Sequence, residues 1–410
     1  MEKFRALIIG SDINAYYLAR CYHELTGNKA DMFALKPIGE KPFAYTRYTK
    51  ILNIKYFENF WDEQVFLSSV NGYYNEHKDE KILLVSSNET YGEYIAKNQD
   101  DLKDKFYFNY PSVELQRTLV NKELFYKTYA DSVLDLPKTV YFDCKADTEI
   151  PDDLTYPVIV KPANVILFKH ITFKGKRKIY RLSSKEELEK VIGYFKNSEY
   201  DDTLIIQEYI PGDDSHLFDA VVYMGKDKKA KLCSFAQIGL QEHSPRMIGN
   251  AAVLINGYSQ FDGVDIQIGK IVEFMEGIGY QGFAEFDMKY DARVGKYKVM
   301  EINARQGRCS YYITPCGYNL IEVLYRDLIL GEDMQFCKAD KLVLETFVPK
   351  SVAKKYIVNE EFKNKALSLW SKGVHPLKYK KDNGIIRKLM LFKIGLNYKK
   401  AYKNFTWDWD

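Results

Sequence analysis

The chain has 410 residues, of which 46% are hydrophobic and 28% charged, ordinary globular values that exclude global disorder and predict two or three packed units. Its formal charge of +3 divides unevenly: residues 331–410 hold 17 Lys/Arg against 9 Asp/Glu, a net +8, and the remaining chain holds 42 against 47, a net −5. No run of about 18 apolar residues exists to span a membrane, and the apolar stretch before Gly10 is too short for a signal peptide.

Phe4 to Ile9 reads as a buried strand, Gly10-Ser11-Asp12 as a turn and residues 15–26 as a helix, the opening unit of a doubly wound α/β domain. Residues 31–35 and 81–86 read as further strands, and 61–76 and 91–97 as helices, so residues 1–110 are expected to form an N-terminal three-layer α/β domain. GxGxxG and GxxxxGK[ST] are both missing, which disfavours a Rossmann dehydrogenase and a P-loop NTPase. Gly10 is read as a tight strand-to-helix turn.

Residues 111–212 read as a small α+β lobe. A helix starts at Asn121-Lys122, strands cover 137–142 and 156–162, and residues 170–182 are expected to form a hairpin turning at Lys174-Gly175-Lys176. Ser184 and Glu187 have capping-box spacing, and Leu188, Val191, Ile192 and Phe195 give one apolar helix face. Strand 203–209 then ends at Pro211-Gly212. Residues 213–335 read as a larger α+β lobe whose clearest part is a hairpin, 282–289 and 298–303. Residues 336–410 form a basic C-terminal region. There is no internal repeat and no low-complexity linker.

Six cysteines lie far apart without a CxxC pair, so a zinc ribbon or disulfide scaffold is not expected and a reduced, cytoplasmic protein is. Alternate strand residues share a face, so Glu285 with Asp287, and Glu301 with Asn303, bring carboxylates and an amide onto one patch. Oxygen-only donors suit Mg²⁺ or Mn²⁺; the plain alternative is a solvated polar face. Arg305 and Arg308 follow within a few residues, suited to neutralise a phosphoryl or acyl-phosphate group or simply to pair with the acids. Lys161, in PVIVKP, and Lys122 are candidate phosphate contacts or else surface lysines. The strand edge Gln207-Glu208-Tyr209-Ile210 could hold an adenine or be a plain buried strand.

In chain order, Lys122, PVIVKP, a glycine-containing flap, QEYIPG, Glu285 and EINAR resemble the ATP-grasp superfamily over about residues 1–330. The resemblance implies that Lys122, Lys161 and the flap residue Lys174 contact ATP phosphates, that Gln207, Glu208, Tyr209 and Ile210 line the adenine site, and that Asp214 binds the ribose. It implies Mg²⁺ on Glu285, Glu301 and Asn303 with Asp287 added, and Arg305 on the transferring phosphoryl group. The flap departs from the glycine-rich pattern, with one glycine in Phe173-Lys-Gly-Lys-Arg-Lys; Lys174, Lys176 and Arg177 replace amides with charge, or the flap closes differently. The chemistry implied is acyl-phosphate formation followed by amine attack, without a thiol or a Ser/His/Asp triad.

The run 301–319 is similar to carboxylate–amine ligases related to D-aspartate ligase, which join the β-carboxyl of D-aspartate to the lysine side chain of the precursor UDP-MurNAc-pentapeptide. That resemblance places Arg308, Ser310 and Tyr311 near the amino-acid carboxylate, with Arg246 contributing from a loop, while His243 in the same loop reads as a surface histidine. A ligase for another amino acid or dipeptide, or a non-catalytic nucleotide-binding protein, are the alternatives. No nucleic-acid signature occurs. The basic tail lies outside the matching residues and is expected to take no part in the ATP chemistry. It meets either an anionic acceptor or the inner membrane face, or is a solvated helix pair.

Overall fold

Five apolar residues of six make β1 (Phe4–Ile9) an inner strand of a parallel sheet, whose order is β3-β2-β1-β4, with β2 at Ala30–Leu35, β3 at Leu52–Phe57 and β4 at Lys81–Ser86. The structure is a computed structural model that describes residues 2–37, 45–86, 88–146, 149–164, 167–168, 171–244, 247, 249–257 and 261–405. Helix α1 (Ile13–Thr26) starts at Asp12, whose side chain accepts from the Ala15 amide, and stops at Gly27 with φ 76. It is buried on nearly every side because it is sandwiched between this sheet and residues 309–329. Helices α2 (Glu63–Glu76), α3 (Glu89–Lys97) and the one-turn α4 (Gln99–Leu102) complete the layers. Strand β3, flanked by few apolar residues, was not foreseen; it is an edge strand with only one neighbour.

Helices α5 (Val113–Val120) and α6 (Lys122–Thr128) lead into a second, antiparallel sheet of order β5-β8-β6-β7, formed by Thr139–Asp143, Thr203–Glu208, Val158–Pro162 and Tyr180–Leu182 respectively. Helix α7 (Lys185–Lys196) is capped by Ser184, and its Leu188, Val191, Ile192 and Phe195 fill the core of this lobe. The expected hairpin over 170–182 is corrected. The turn does fall at Lys174-Gly175, but only Tyr180–Leu182 is strand, and it pairs with β6 rather than with the preceding segment. The preceding segment is held by side chains instead: Lys176 donates to the carbonyls of Phe168 and Ile171, and the Tyr180 hydroxyl bridges Gly175 and Arg177.

The large sheet runs β14-β13-β9-β11-β12-β16. Its strands are β9 (Leu217–Met224), β10 (Ala230–Ser234), β11 (Ala236–Gln241), β12 (Ala251–Asn256), β13 (Gly282–Asp291), β14 (Lys296–Asn303), β15 (Cys337–Ala339) and β16 (Val343–Thr346). Strand β10 pairs with β9 and β15 to one side of that order. Helix α8 (Val264–Gly277) packs on one face, and the short α9 (Leu320–Leu324) lies against α1. The C-terminal helices are α10 (Lys350–Tyr356), α11 (Glu360–Leu369) and α12 (Ile385–Asn404). They are packed onto the body. Arg387 is fully buried, paired with Asp382 at 3.0 Å, and donates to the carbonyls of Tyr45 and Arg47. Among the described residues no helix is long and apolar enough to cross a membrane.

Candidate active site

The β13–β14 register sets Glu285 opposite Asn303 and Asp287 opposite Glu301. On its other side β13 sets Asp287 opposite Asp219 of β9. Asp219, Glu285 and Asp287 each turn an oxygen to one point, all within 4.8 Å of one another. The Asn303 amide donates to Glu285 at 3.1 Å and Asp287 at 3.2 Å, and one Asp219 oxygen is buried with no hydrogen-bond partner. Burial, then Glu285 and Asp287, push the Asp219 carboxyl well above its ordinary range. Burial, then Glu285 and Glu301, do the same to Asp287. Acids held this close are relieved by a proton or a cation, and the donor set, all oxygen with no sulfur or imidazole, fits Mg²⁺. Asp219 was missed in the sequence; its signal is a single charge inside the apolar strand LFDAVVYM.

The Glu285 carboxylate lies against the backbone of Gly307, where an added Cβ would sit 1.5 Å from its oxygen. Only glycine leaves that room. Arg305 reaches Glu285 at 3.1 Å and Glu89, at the start of α3, at 3.5 Å. Burial would lower the Arg305 pKa, but Glu285 and Glu89 outweigh it and keep the guanidinium charged. Gln306 donates to the Ser86 carbonyl, so the carboxyl end of β4 borders the same place.

Cations line the other side. Asn121 caps α6 and so places Lys122, whose ammonium lies 2.7 Å from Glu301. Burial alone would raise the Glu301 carboxyl, but Lys122, with Lys161 and Lys178, holds it down at about 2. Its side chain still keeps 37% of its surface open, so it borders a cleft. Lys161 is buried on β6, its ammonium 5.5 Å from the Tyr126 ring. Burial, then Lys122, push it down to about 7. Lys178, on the flap, acts electrostatically on both Glu301 and Lys161 and was not singled out in the sequence. Lys174 sits exposed at the flap turn.

Along the neighbouring strand edge, Gln207 is buried, donates to Thr139 at 2.8 Å and leaves its oxygen unpartnered. Ile210 is buried and the Tyr209 ring packs under Arg181 at 4.3 Å. Glu208 is taken up in ion pairs with Lys298 and Arg293 and accepts from the Lys138 amide at 2.9 Å. Asp214 accepts from the Gln241 amide and side chain at 2.8 and 2.7 Å.

Arg308 is buried, and its hydrogen-bond partners lie outside the acidic cluster. It donates to Glu242 at 2.7 Å, to the Ala251 carbonyl at 3.0 Å and to Tyr398 of α12 at 3.1 Å, and its Nε–H is buried without a partner. Ser310 and Tyr311 share no hydrogen-bond partner with Arg308: Ser310 donates to the Gly307 carbonyl, and the Tyr311 hydroxyl is bound to Glu24, with its ring 4.1 Å from the Arg20 guanidinium carbon. His243 contacts the Phe405 carbonyl and stacks near Tyr402 at 4.2 Å. Arg246 lies outside the described residues. The C-terminal region, expected to take no part in the ATP chemistry, contacts Arg308 through Tyr398.

No protein-family model matches the chain. It is 30% identical over 420 residues to the D-aspartate ligase of Enterococcus faecium (strain Aus0004), covering 98% of this chain and 97% of that one. In structure it is similar to the L-amino acid ligase of Bacillus licheniformis, with a TM-score of 0.54 at 16% identity over 80% of this chain and 75% of that one. The biotin carboxylase domain of 2-oxoglutarate carboxylase from Hydrogenobacter thermophilus, solved with MgADP and bicarbonate, gives a TM-score of 0.57 at 15% identity over 83% and 72%. The fold they share is the ATP-grasp fold.

Proposed function

The chain belongs to the D-aspartate ligase family of ATP-grasp carboxylate–amine ligases, and on that premise we propose an ADP-forming amide synthesis through an acyl phosphate in the cytoplasm. The carboxyl donor is D-aspartate, through its β-carboxyl, and the amine is the lysine side chain of UDP-MurNAc-pentapeptide. The observation that carries this reading is the site's division of charge. Asp219, Glu285 and Asp287 share one point where three acids meet a single close cation, Arg305 on Glu285, while Lys122 and Lys161 gather around Glu301.

Asp219, Glu285 and Asp287, with Glu301 and Asn303 alongside, would hold Mg²⁺, which when bound would supply positive charge to the phosphoryl oxygens. Lys161, short of a countercharge in its buried position, takes one when a phosphate arrives beside it. Lys122 is already anchored by Glu301, which fixes it as a point charge at the cleft. Arg305, pinned by Glu285 and Glu89, is pre-organised for charge that grows as the carboxylate oxygen attacks the γ-phosphorus and ADP leaves. The same guanidinium then faces the acyl phosphate while the amine nitrogen forms the C–N bond and phosphate departs. Gln207 to Ile210 line the adenine, and Arg308, with its free Nε–H, lies toward the amino-acid carboxylate.

ADP release with Mg-ATP, measured against D- and L-amino acids with and without UDP-MurNAc-pentapeptide, tests the reading. Turnover is expected with D-aspartate and the precursor together. Turnover with a different amino acid would keep the ligase chemistry and reassign the donor; no stimulation by any amino acid would overturn it.

A further inference from the structure

Helix α12 meets the body with one side only. Arg387 and Tyr402 are buried and Tyr398 is hydrogen-bonded to Arg308 and Glu242. At about 100° per residue these positions fall on one side of the helix. Ile385, Leu389, Phe392 and Leu396, spaced by four, three and four residues, fall on the opposite side, and they are 78%, 64%, 67% and 46% exposed. A solvated helix shows polar residues there. Lys388 and Lys399 border this stripe along one edge, and Lys393 and Lys400 along the other. All four are exposed, and the helix contains six Lys/Arg and no Asp or Glu.

We propose that the outer face of α12 docks the protein, lying flat, on an anionic lipid bilayer. An apolar stripe with lysines on both flanks has the layout of an interfacial helix: the stripe enters the headgroup boundary while the ammonium groups meet lipid phosphates. The helix does not cross, since its other side is committed to the body. The charge decides between occupants. A second copy related by a two-fold axis would set lysine rims against lysine rims, whereas an anionic surface neutralises both. This surface does not depend on which substrates the site takes. Because Tyr398 lies on the inner side of the same helix, the docked element and the support of Arg308 are one piece.

Co-sedimentation of the full chain with vesicles of phosphatidylcholine alone, or mixed with phosphatidylglycerol, tests the proposal. Binding to the mixed vesicles only is expected, falling steeply as salt is raised. Leu389→Ser with Phe392→Ser weakens it roughly tenfold or more, and Lys393→Gln with Lys400→Gln by about fivefold per lysine. Both pairs are exposed, so melting temperature and vesicle-free ADP release stay as in the wild type, which separates this test from the ligase reading. Absence of binding to anionic vesicles, equal binding to neutral ones, or binding untouched by both pairs would overturn the proposal. So would a concentration-dependent dimer that Phe392→Ser abolishes in a protein without vesicle affinity.

Discussion

Glu301 and Asp287 face each other across one strand pair, yet their surroundings drive them in opposite directions. Glu301 has Lys122 at 2.7 Å and two further lysines, and its carboxyl is held at about 2. Asp287 has Glu285, Glu301 and Asp219 for neighbours and is pushed up. One side of the cleft is neutralised by the chain itself; the other carries acid in excess of its cations. A solvated polar face would not be sorted in this way. The difference teaches that Glu301 already has its countercharge in Lys122, while the aspartate side is built to be completed by something positive.

The largest effect is expected from removing the neutralised side. Glu301→Ala and Lys161→Ala lower ADP release by about 1000-fold or more, with circular dichroism and melting unchanged in shape. Near-normal turnover in Glu301→Ala would break the comparison outright. On the acidic side the metal-free protein responds in the opposite sense. Asp287→Asn removes one of several like charges and raises stability by about 1 kcal/mol or more, a shift of a few degrees in melting temperature, while costing activity. A metal-free Asp287→Asn protein that melts below wild type would show that no repulsion is stored there.

Smaller effects lie behind the site. Tyr398→Phe leaves Arg308 with Glu242 and the Ala251 carbonyl, so a fall of roughly threefold to tenfold in kcat/KM for the amino acid is expected, with KM for ATP unmoved. His375 sharpens the contrast by pH. Burial, then Lys378, Arg20 and Arg308, lower its pKa from 6.5 to about 3, and its Nδ1 accepts from the Leu377 amide. The unfolded chain binds a proton below about 6.5 that the folded chain refuses until about 3. Stability therefore falls as pH drops through that window, by at most about 1.4 kcal/mol per unit. His375→Asn is expected to flatten that part of the pH–stability curve measured by urea unfolding, leaving it unchanged above pH 7.

Much of this was legible from the residues. Alternation put Glu285 with Asp287 and Glu301 with Asn303, because strand geometry fixes faces whatever the partner. Capping chemistry marked the start of α7. Asp219 stayed hidden because the β9–β13 pairing is a long-range contact that no local spacing encodes. The partner of Tyr311 was not legible either: a hydroxyl three residues past Arg308 reads as a site group, and the turn at residues 311–313 holds it on Glu24 of α1. Where the tail packs was not legible in its net charge, because Arg387, Tyr398 and Tyr402 on the inner face decide it through contacts distant in sequence.

Calorimetric titration of Mg²⁺ into the wild-type protein and into Asp287→Asn, each with and without ATP, tests the division of charge most directly. The account predicts a saturable Mg²⁺ site in the wild type that tightens when ATP is present, and at least a tenfold loss of that affinity in Asp287→Asn. Equal Mg²⁺ affinity in the two proteins, or no heat of Mg²⁺ binding to the wild type even with ATP, would contradict it.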